Sequence, residues 1–245
     1  MDMLGMLEAV RGCLKEELRM DVIANNLANA SVPGFKKDRV SFQNLLIQQS
    51  MGAQQVNAPV NRNSLVHVAP DLSQGDLRFT GNMLDFAING MGFFKVMTPN
   101  GIRYTRKGNF TVDATGNLIT QEGYQVLGKG GTLNVMNKQV EVDDRGRVLV
   151  DGSELDQLDI VSFGDGARLV KEGKGLFRKD PGINEEPFPA ESAVRQGYLE
   201  NSNVNIAEEM VKMIHSLRAF ESYQRAIKVL EHLDNKVTNE VARLR

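Results

Sequence analysis

The sequence predicts an α+β protein: long N- and C-terminal helices forming a coiled-coil-like pair, with a central, mainly antiparallel β domain. Three observations carry this expectation. Apolar residues step by three and four through residues 3–29 and again through 205–244, the period of a helix with one apolar face. Between them, residues 82–198 break into short β-branched and aromatic segments punctuated by glycine, the pattern of many short strands. Four segments follow: an N-terminal helical assembly segment over 1–40, an extended connector over 41–80, a β-rich central domain over 81–198 and a C-terminal helical assembly segment over 199–245.

In the first helix, Leu7, Val10, Leu14 and Leu18 form the apolar face and Ile23 and Leu27 continue it, while Glu8, Arg11, Lys15, Glu16 and Arg19 occupy the other side. Pro33-Gly34 then stops it, because proline cannot continue the ladder and glycine permits a positive φ in the turn. At 1.5 Å per residue the helix is about 40 Å long. Lys36, Lys37 and Arg39 gather around Asp38 and read as a solvated turn. The connector holds six glutamines, few charges and the interruptions Pro59 and Pro70, so extended or irregular chain is expected there.

In the central domain Gly101, Gly108, Gly116, Gly123 and Gly130 recur every seven or eight residues. Asn100-Gly101 and Thr115-Gly116-Asn117 are hairpin-type turns. The segments 93–96, 110–112, 139–142, 147–150 and 158–163 read as strands. The last helix opens at Asn205, a good N-cap, with Glu208 placed as in a capping box. Its stripe runs Ile206, Met210, Met213, Leu217, Phe220, Ile227, Leu230, Leu233, Val237, Val241 and Leu244. Glu208 with Lys212 and Glu221 with Arg225 are favourable i,i+4 pairs, and the helix reaches about 55 Å. Two readings follow: both helices cap the β domain of a monomer, or their stripes find partners beyond it; either helix would overhang a domain of this size, about 30 Å across, which favours the second.

Composition narrows the function classes. The net charge is -2, which gives no global attraction to nucleic acid or an anionic membrane, and no run of about 18 apolar residues is present to span a bilayer. Cys13 is the single cysteine, so no intrachain disulfide forms, and it reads as a small buried thiol. The first residues lack a secretory signal pattern, which by composition alone places the chain in the cytoplasm unless a dedicated export machine reads another signal. His67, His215 and His232 have no metal-type spacing. Gly90-Met91-Gly92 and Gly128-Lys129-Gly130-Gly131 complete no nucleotide fingerprint, and Asp143-Asp144-Arg145-Gly146 reads as a turn, not a calcium loop. Ser153 and Ser162 lack a nucleophile elbow. No enzyme and no cofactor are expected. A glycan-binding β module with oligomerising helices is the alternative, and it has no tryptophan and four tyrosines to build its groove.

Three stretches resemble the flagellar rod and hook family. They are Asn25-Asn26-Leu27-Ala28-Asn29 with Pro33-Gly34-Phe35-Lys36, then Asp85-Phe86-Ala87-Ile88-Asn89-Gly90-Met91-Gly92-Phe93-Phe94 with Tyr104-Thr105-Arg106, then Gly197-Tyr198-Leu199-Glu200-Asn201-Ser202-Asn203-Val204-Asn205 with Arg218-Ala219-Phe220-Glu221. They stand in the family's order over nearly the whole chain. Residues 101–110 and 123–128 resemble the proximal-rod branch more than the distal one. Ser31-Val32-Pro33 departs from the threonine-containing turn of many relatives. The resemblance implies a rod subunit in the drive shaft between motor and hook, exported without a cleaved signal by the flagellar type III apparatus and assembled in the periplasm. It implies as partners other rod proteins and copies of this chain. It implies ends that order on assembly, the helices forming the inner tube and the β domain the outer layer. The residues expected at the assembly interface are Leu7, Leu14, Asn25, Asn26, Leu27, Phe35, Met210, Met213, Ile214, Leu217 and Phe220. Asn25 and Asn26 either bond backbone across subunits or end the helix locally; Asn29 reads as a local helix end. Met20, Met210 and Met213 either adapt to inequivalent neighbours or fill ordinary core.

Overall fold

A computed structural model describes residues 3–44, 64–136, 140–164 and 169–243. Helix α1 (Met3–Ala28) leads into β1 (Asp38–Asn44), then β2 (Ser64–Pro70), β3 (Leu77–Phe79), β4 (Phe86–Asn89), β5 (Phe93–Thr98), β6 (Gly101–Thr105), β7 (Phe110–Val112), β8 (Leu118–Thr120), β9 (Gln125–Gly128) and β10 (Gly131–Thr132). The chain continues through β11 (Val140–Val142), β12 (Arg147–Val150), β13 (Ser153–Gln157), β14 (Ile160–Ser162), β15 (Leu169–Gly173), β16 (Leu176–Lys179), β17 (Glu186–Pro187), β18 (Ala193–Gln196) and β19 (Tyr198–Glu200) to helix α2 (Ile206–Arg243).

The strands of the main sheet run β15-β16-β6-β5-β9-β8-β7, with β10 on β9 and with β14 joining β5 to β17. Every strand pair described is antiparallel. The sheet has a core on each face because side chains alternate along a strand. In β5, Phe94 and Val96 enter a large cluster with Phe86, Phe110, Leu118 and Val126. Phe93 turns to a smaller one with Tyr104, Phe163 and Phe177. The rings meet edge-on or tilted, with Phe94 5.3 Å from Phe110 and Tyr104 4.9 Å from Phe163. The turns at Asn100-Gly101 and at residues 115–117 carry glycines with φ of +96° and +84°, conformations that an L side chain rarely adopts. The connector holds more structure than expected: β1 and β2 pair along their full length, Asp38 opposite Pro70 and Asn44 opposite Ser64. Its middle, with Pro59, lies outside the described residues, as do Gln139 and Leu244.

The α+β class fits, but the coiled-coil-like pairing does not. Helices α1 and α2 lie antiparallel, with Asn26 beside Glu209 at one end and Gly12 beside Tyr223 further along. A coiled coil buries its apolar seam against the partner. Here the buried positions of α1 are Ala9, Gly12, Glu16, Ile23 and Asn26, and those of α2 are Glu209 and Ser216. These positions mix small, polar and apolar side chains with no continuous apolar seam, and at Gly12 the helices are close enough that an added methyl group would lie 2.5 Å from the Tyr223 ring. The first half of the α1 stripe, Leu7, Val10 and Leu14, lies off this seam and is exposed, whereas Ile23 further along is buried. Asn205 caps α2 by accepting the Glu208 amide at 3.2 Å. The Glu208 carboxylate is turned to Lys212 at 2.7 Å, while Arg225 donates to Ser222.

At the edge of the smaller core Glu185 accepts from the Tyr104 hydroxyl at 2.5 Å and pairs with Lys95 and Lys179, each at 3.0 Å. Burial alone would raise the Glu185 pKa, but these bonds outweigh it and hold the carboxyl at about 2. Burial and the bond to Glu185 push Tyr104 upward. A carboxyl depressed in the fold stabilises above its unfolded pKa, near 4.5, and loses that contribution as pH falls toward 2. Urea unfolding at pH 7, 4.5 and 2 will therefore show a smaller acid loss in Glu185→Gln than in the wild type.

Candidate assembly surface

The two helices present unpartnered apolar faces. On α1, Leu7 and Leu14 are 45% and 59% exposed, and Val10 joins them. On α2, Met210, Ile214 and Leu217 are 53%, 51% and 47% exposed, followed by Val229 and Leu233. Large apolar side chains that recur along a helix face and remain in water are the mark of an interaction surface. Of the other residues expected at the interface, Leu27, Met213 and Phe220 are half-buried, with the Phe220 carbonyl 3.9 Å from the Cys13 sulfur. Asn25 is exposed, and its carbonyl accepts from the Asn29 side chain at 2.8 Å.

Asn26 and Phe35 are engaged within the chain. Asn26 is fully buried: its Oδ1 accepts the Asp38 amide at 2.8 Å and its Nδ2 donates to the Asp38 carbonyl at 3.0 Å and to Glu209 at 3.3 Å. It thereby clamps the start of β1 to both helices. Phe35 is half-buried with the Lys171 ammonium 4.3 Å from its ring centre, an arrangement favoured by the ring quadrupole. Lys171 also pairs with Asp38 at 2.9 Å and bonds the Lys36 carbonyl.

Beneath these residues lies a buried ionic cluster. Of the cations expected in a solvated turn, Arg39 is exposed, but Lys36 is not solvated: it is 0% exposed in its side chain and pairs with the equally buried Glu200 at 2.5 Å. The second Glu200 oxygen meets Arg106 at 3.2 Å. Lys36 also donates to the Ser73 carbonyl at 2.7 Å, and the Gly75 amide donates to Glu200 at 2.9 Å. Arg106 donates to the carbonyls of Ile88 and Gly90 at 3.2 and 2.6 Å and stands 5.3 Å from the centre of the Phe93 ring. Two cations share one carboxylate, and carbonyl dipoles and an aromatic face carry the remainder. Burial lowers the pKa of Lys36, against the opposing pull of Glu200, and lowers that of Arg106. Lys37 and Arg39 pair with Asp71 at 3.8 and 2.7 Å. Asn203 accepts the Lys37 amide at 2.7 Å and donates to the Asp71 carbonyl at 2.9 Å. Periodicity could not reveal this cluster. The available signal was a charged residue inside each stretch of resemblance: Lys36, Arg106 and Glu200.

Among the described residues no three His, Cys, Asp or Glu side chains group as a metal site, and no helix is long and apolar enough to cross a membrane.

The fold is a β domain with two terminal helices along which large apolar side chains stand exposed. Three family models match it: residues 6–36 match the flagella basal body rod protein model, 87–150 the flagellar hook protein FlgE/F/G D1 domain and 195–240 the flagellar basal body rod FlgEFG protein C-terminal model. The chain belongs to the flagellar basal-body rod protein family and is a structural subunit of that rod. It is 30% identical to the flagellar basal-body rod protein FlgG of Bacillus subtilis (strain 168), over 96% of this chain and 98% of the relative. It is 34% identical to FlgF of Caulobacter vibrioides over 94% of both chains, and 33% identical to FlgG of Borreliella burgdorferi over 92% of this chain and 94% of the relative. Relatives of both names match at similar identity and length, so the match does not divide between the two branches.

Proposed function

We propose that the chain joins the rod through the outward faces of α1 and α2, with Leu7, Leu14, Met210, Ile214 and Leu217 buried against other rod proteins and copies of itself. Assembly takes place in the periplasm after export by the flagellar type III apparatus without a cleaved signal. The subunit works as a part of the torque-bearing shaft and not as an enzyme. The observation that carries this reading is the exposure of large apolar residues along both helices, while the β domain keeps its own cores. Fully burying one such side chain stabilises by about 1.5–3 kcal/mol, so several together offset the cost of ordering the ends.

The test is a double variant, Leu14→Asp with Leu217→Asp. Both positions are on the surface of the free chain, so far-UV circular dichroism will stay unchanged. Incorporation into purified basal bodies will fall at least tenfold by immunoblot. Wild-type incorporation would remove the helices from the assembly surface.

A further inference from the structure

We infer that the Lys36–Glu200–Arg106 cluster is the mechanical joint of the subunit, the point through which the helical ends and the β domain are locked in one orientation. The inference rests on the reading of the chain as a load-bearing rod subunit, but its argument is local. Four separate segments of chain meet at one carboxylate. Lys36 comes from the turn that leaves α1, and Glu200 from β19, immediately before α2. Arg106 directly follows β6 of the main sheet, and Gly75 comes from the stretch between β2 and β3. The backbone closes the same junction: the Gly34 amide donates to the Glu200 carbonyl at 2.7 Å. Gly34 lies so close to Arg106 that a methyl group there would stand 2.5 Å from the Arg106 carbonyl carbon.

The chemistry suits a joint that resists rotation. Apolar side chains slide over one another at little cost, whereas a buried ion pair is directional and is costly to open without water. Each Glu200 oxygen is committed to a different partner, Oε1 to Lys36 and Gly75 and Oε2 to Arg106. A swing of α1 and α2 relative to the sheet must therefore break a charged contact on one side or the other. The excess cation is held by the carbonyls of Ile88 in β4 and of Gly90, which anchors the β-domain side of the junction also to the strand pair of β4 and β18.

Two substitutions cut the joint while leaving a balanced pair. Lys36→Met retains Arg106 with Glu200, and Arg106→Met retains Lys36 with Glu200. With Cys13 replaced by alanine, nitroxide labels at the exposed positions Arg218 on α2 and Lys129 beside β9 report the angle between helices and sheet by pulsed electron spin resonance on the free full-length chain. The unmodified joint will give one narrow distance distribution. Each variant that keeps its circular dichroism will give a distribution at least twice as wide. A folded variant as narrow as the parent would overturn the assignment. Loss of the sheet's circular dichroism in both variants would also overturn it, because it would make the cluster part of the β core. Incorporation into basal bodies plays no part in this readout, so failure here and failure of the assembly reading are separable.

Discussion

Glu200→Gln will lower the free energy of unfolding by about 3–5 kcal/mol, the cost of removing one partner from a buried ionic group. Glutamine keeps the shape of the side chain and removes its charge, so Lys36 and Arg106 are left as two buried cations without an anion. Their side chains are 0% and 3% exposed, so water cannot replace the lost carboxylate. The amide nitrogen of glutamine also brings a donor to a site whose neighbours, the Lys36 ammonium, the Arg106 guanidinium and the Gly75 amide, all donate. Urea titration of the free chain measures the effect. Lys36→Met, which leaves a neutral pair, will cost distinctly less. A loss under about 1 kcal/mol for Glu200→Gln, the scale of an exposed ion pair, would mean that the cluster is solvated.

Gly34→Ala will cost about 2–5 kcal/mol. Gly34 has φ +66°, and a Cβ there would lie 2.5 and 2.6 Å from the carbonyl carbon and oxygen of Arg106 and 2.6 Å from the Lys107 nitrogen. The left-handed conformation contributes about 1–2 kcal/mol of that and overpacking against backbone about 1–3 kcal/mol more. The clashing atoms are main chain, which no rotamer change relieves. A thermal melt will show the loss, and because Gly34 abuts the Arg106 backbone the damage will centre on the junction and not on the Phe94 core.

The positive φ at Gly34 was legible in the sequence from Pro33-Gly34, and so were the hairpins at Asn100-Gly101 and Thr115-Gly116, because glycine after a strand or helix has few other uses. The helix start at Asn205 was legible for the same reason: capping is local. The pairing of α1 with α2 was misread. A stripe such as Leu7, Val10, Leu14 and Leu18 declares an apolar face but not what covers it, and the face chosen by the partner helix holds Gly12, Glu16 and Asn26. Small and polar residues carry no periodic signal. Lys36 was placed in water because lysine belongs there unless a specific partner lies close by, and Glu200 is 164 residues away in the chain. The pairing of β1 with β2 was missed for another reason: Val40 and Phe42 do alternate with Arg39, Ser41 and Gln43, but the run is short and its match with Ser64–Pro70 is made only in space.

The outward apolar faces of α1 and α2 as the assembly surface are tested most directly by amide hydrogen exchange on the free chain and on the chain in isolated rods. Among the described side chains of α2, Glu209 and Ser216 are the buried ones, so this helix, though docked on α1, opens locally at lower cost than the β core. The account predicts faster exchange along residues 206–230 and 3–18 than along β5, β6 and β9 in the free chain, from brief openings of helices that otherwise stay docked, and strong protection of both in rods, with the three strands protected equally in each. Strong protection of 206–230 already present in the dilute free chain, or a gain on assembly confined to the β domain, would contradict it.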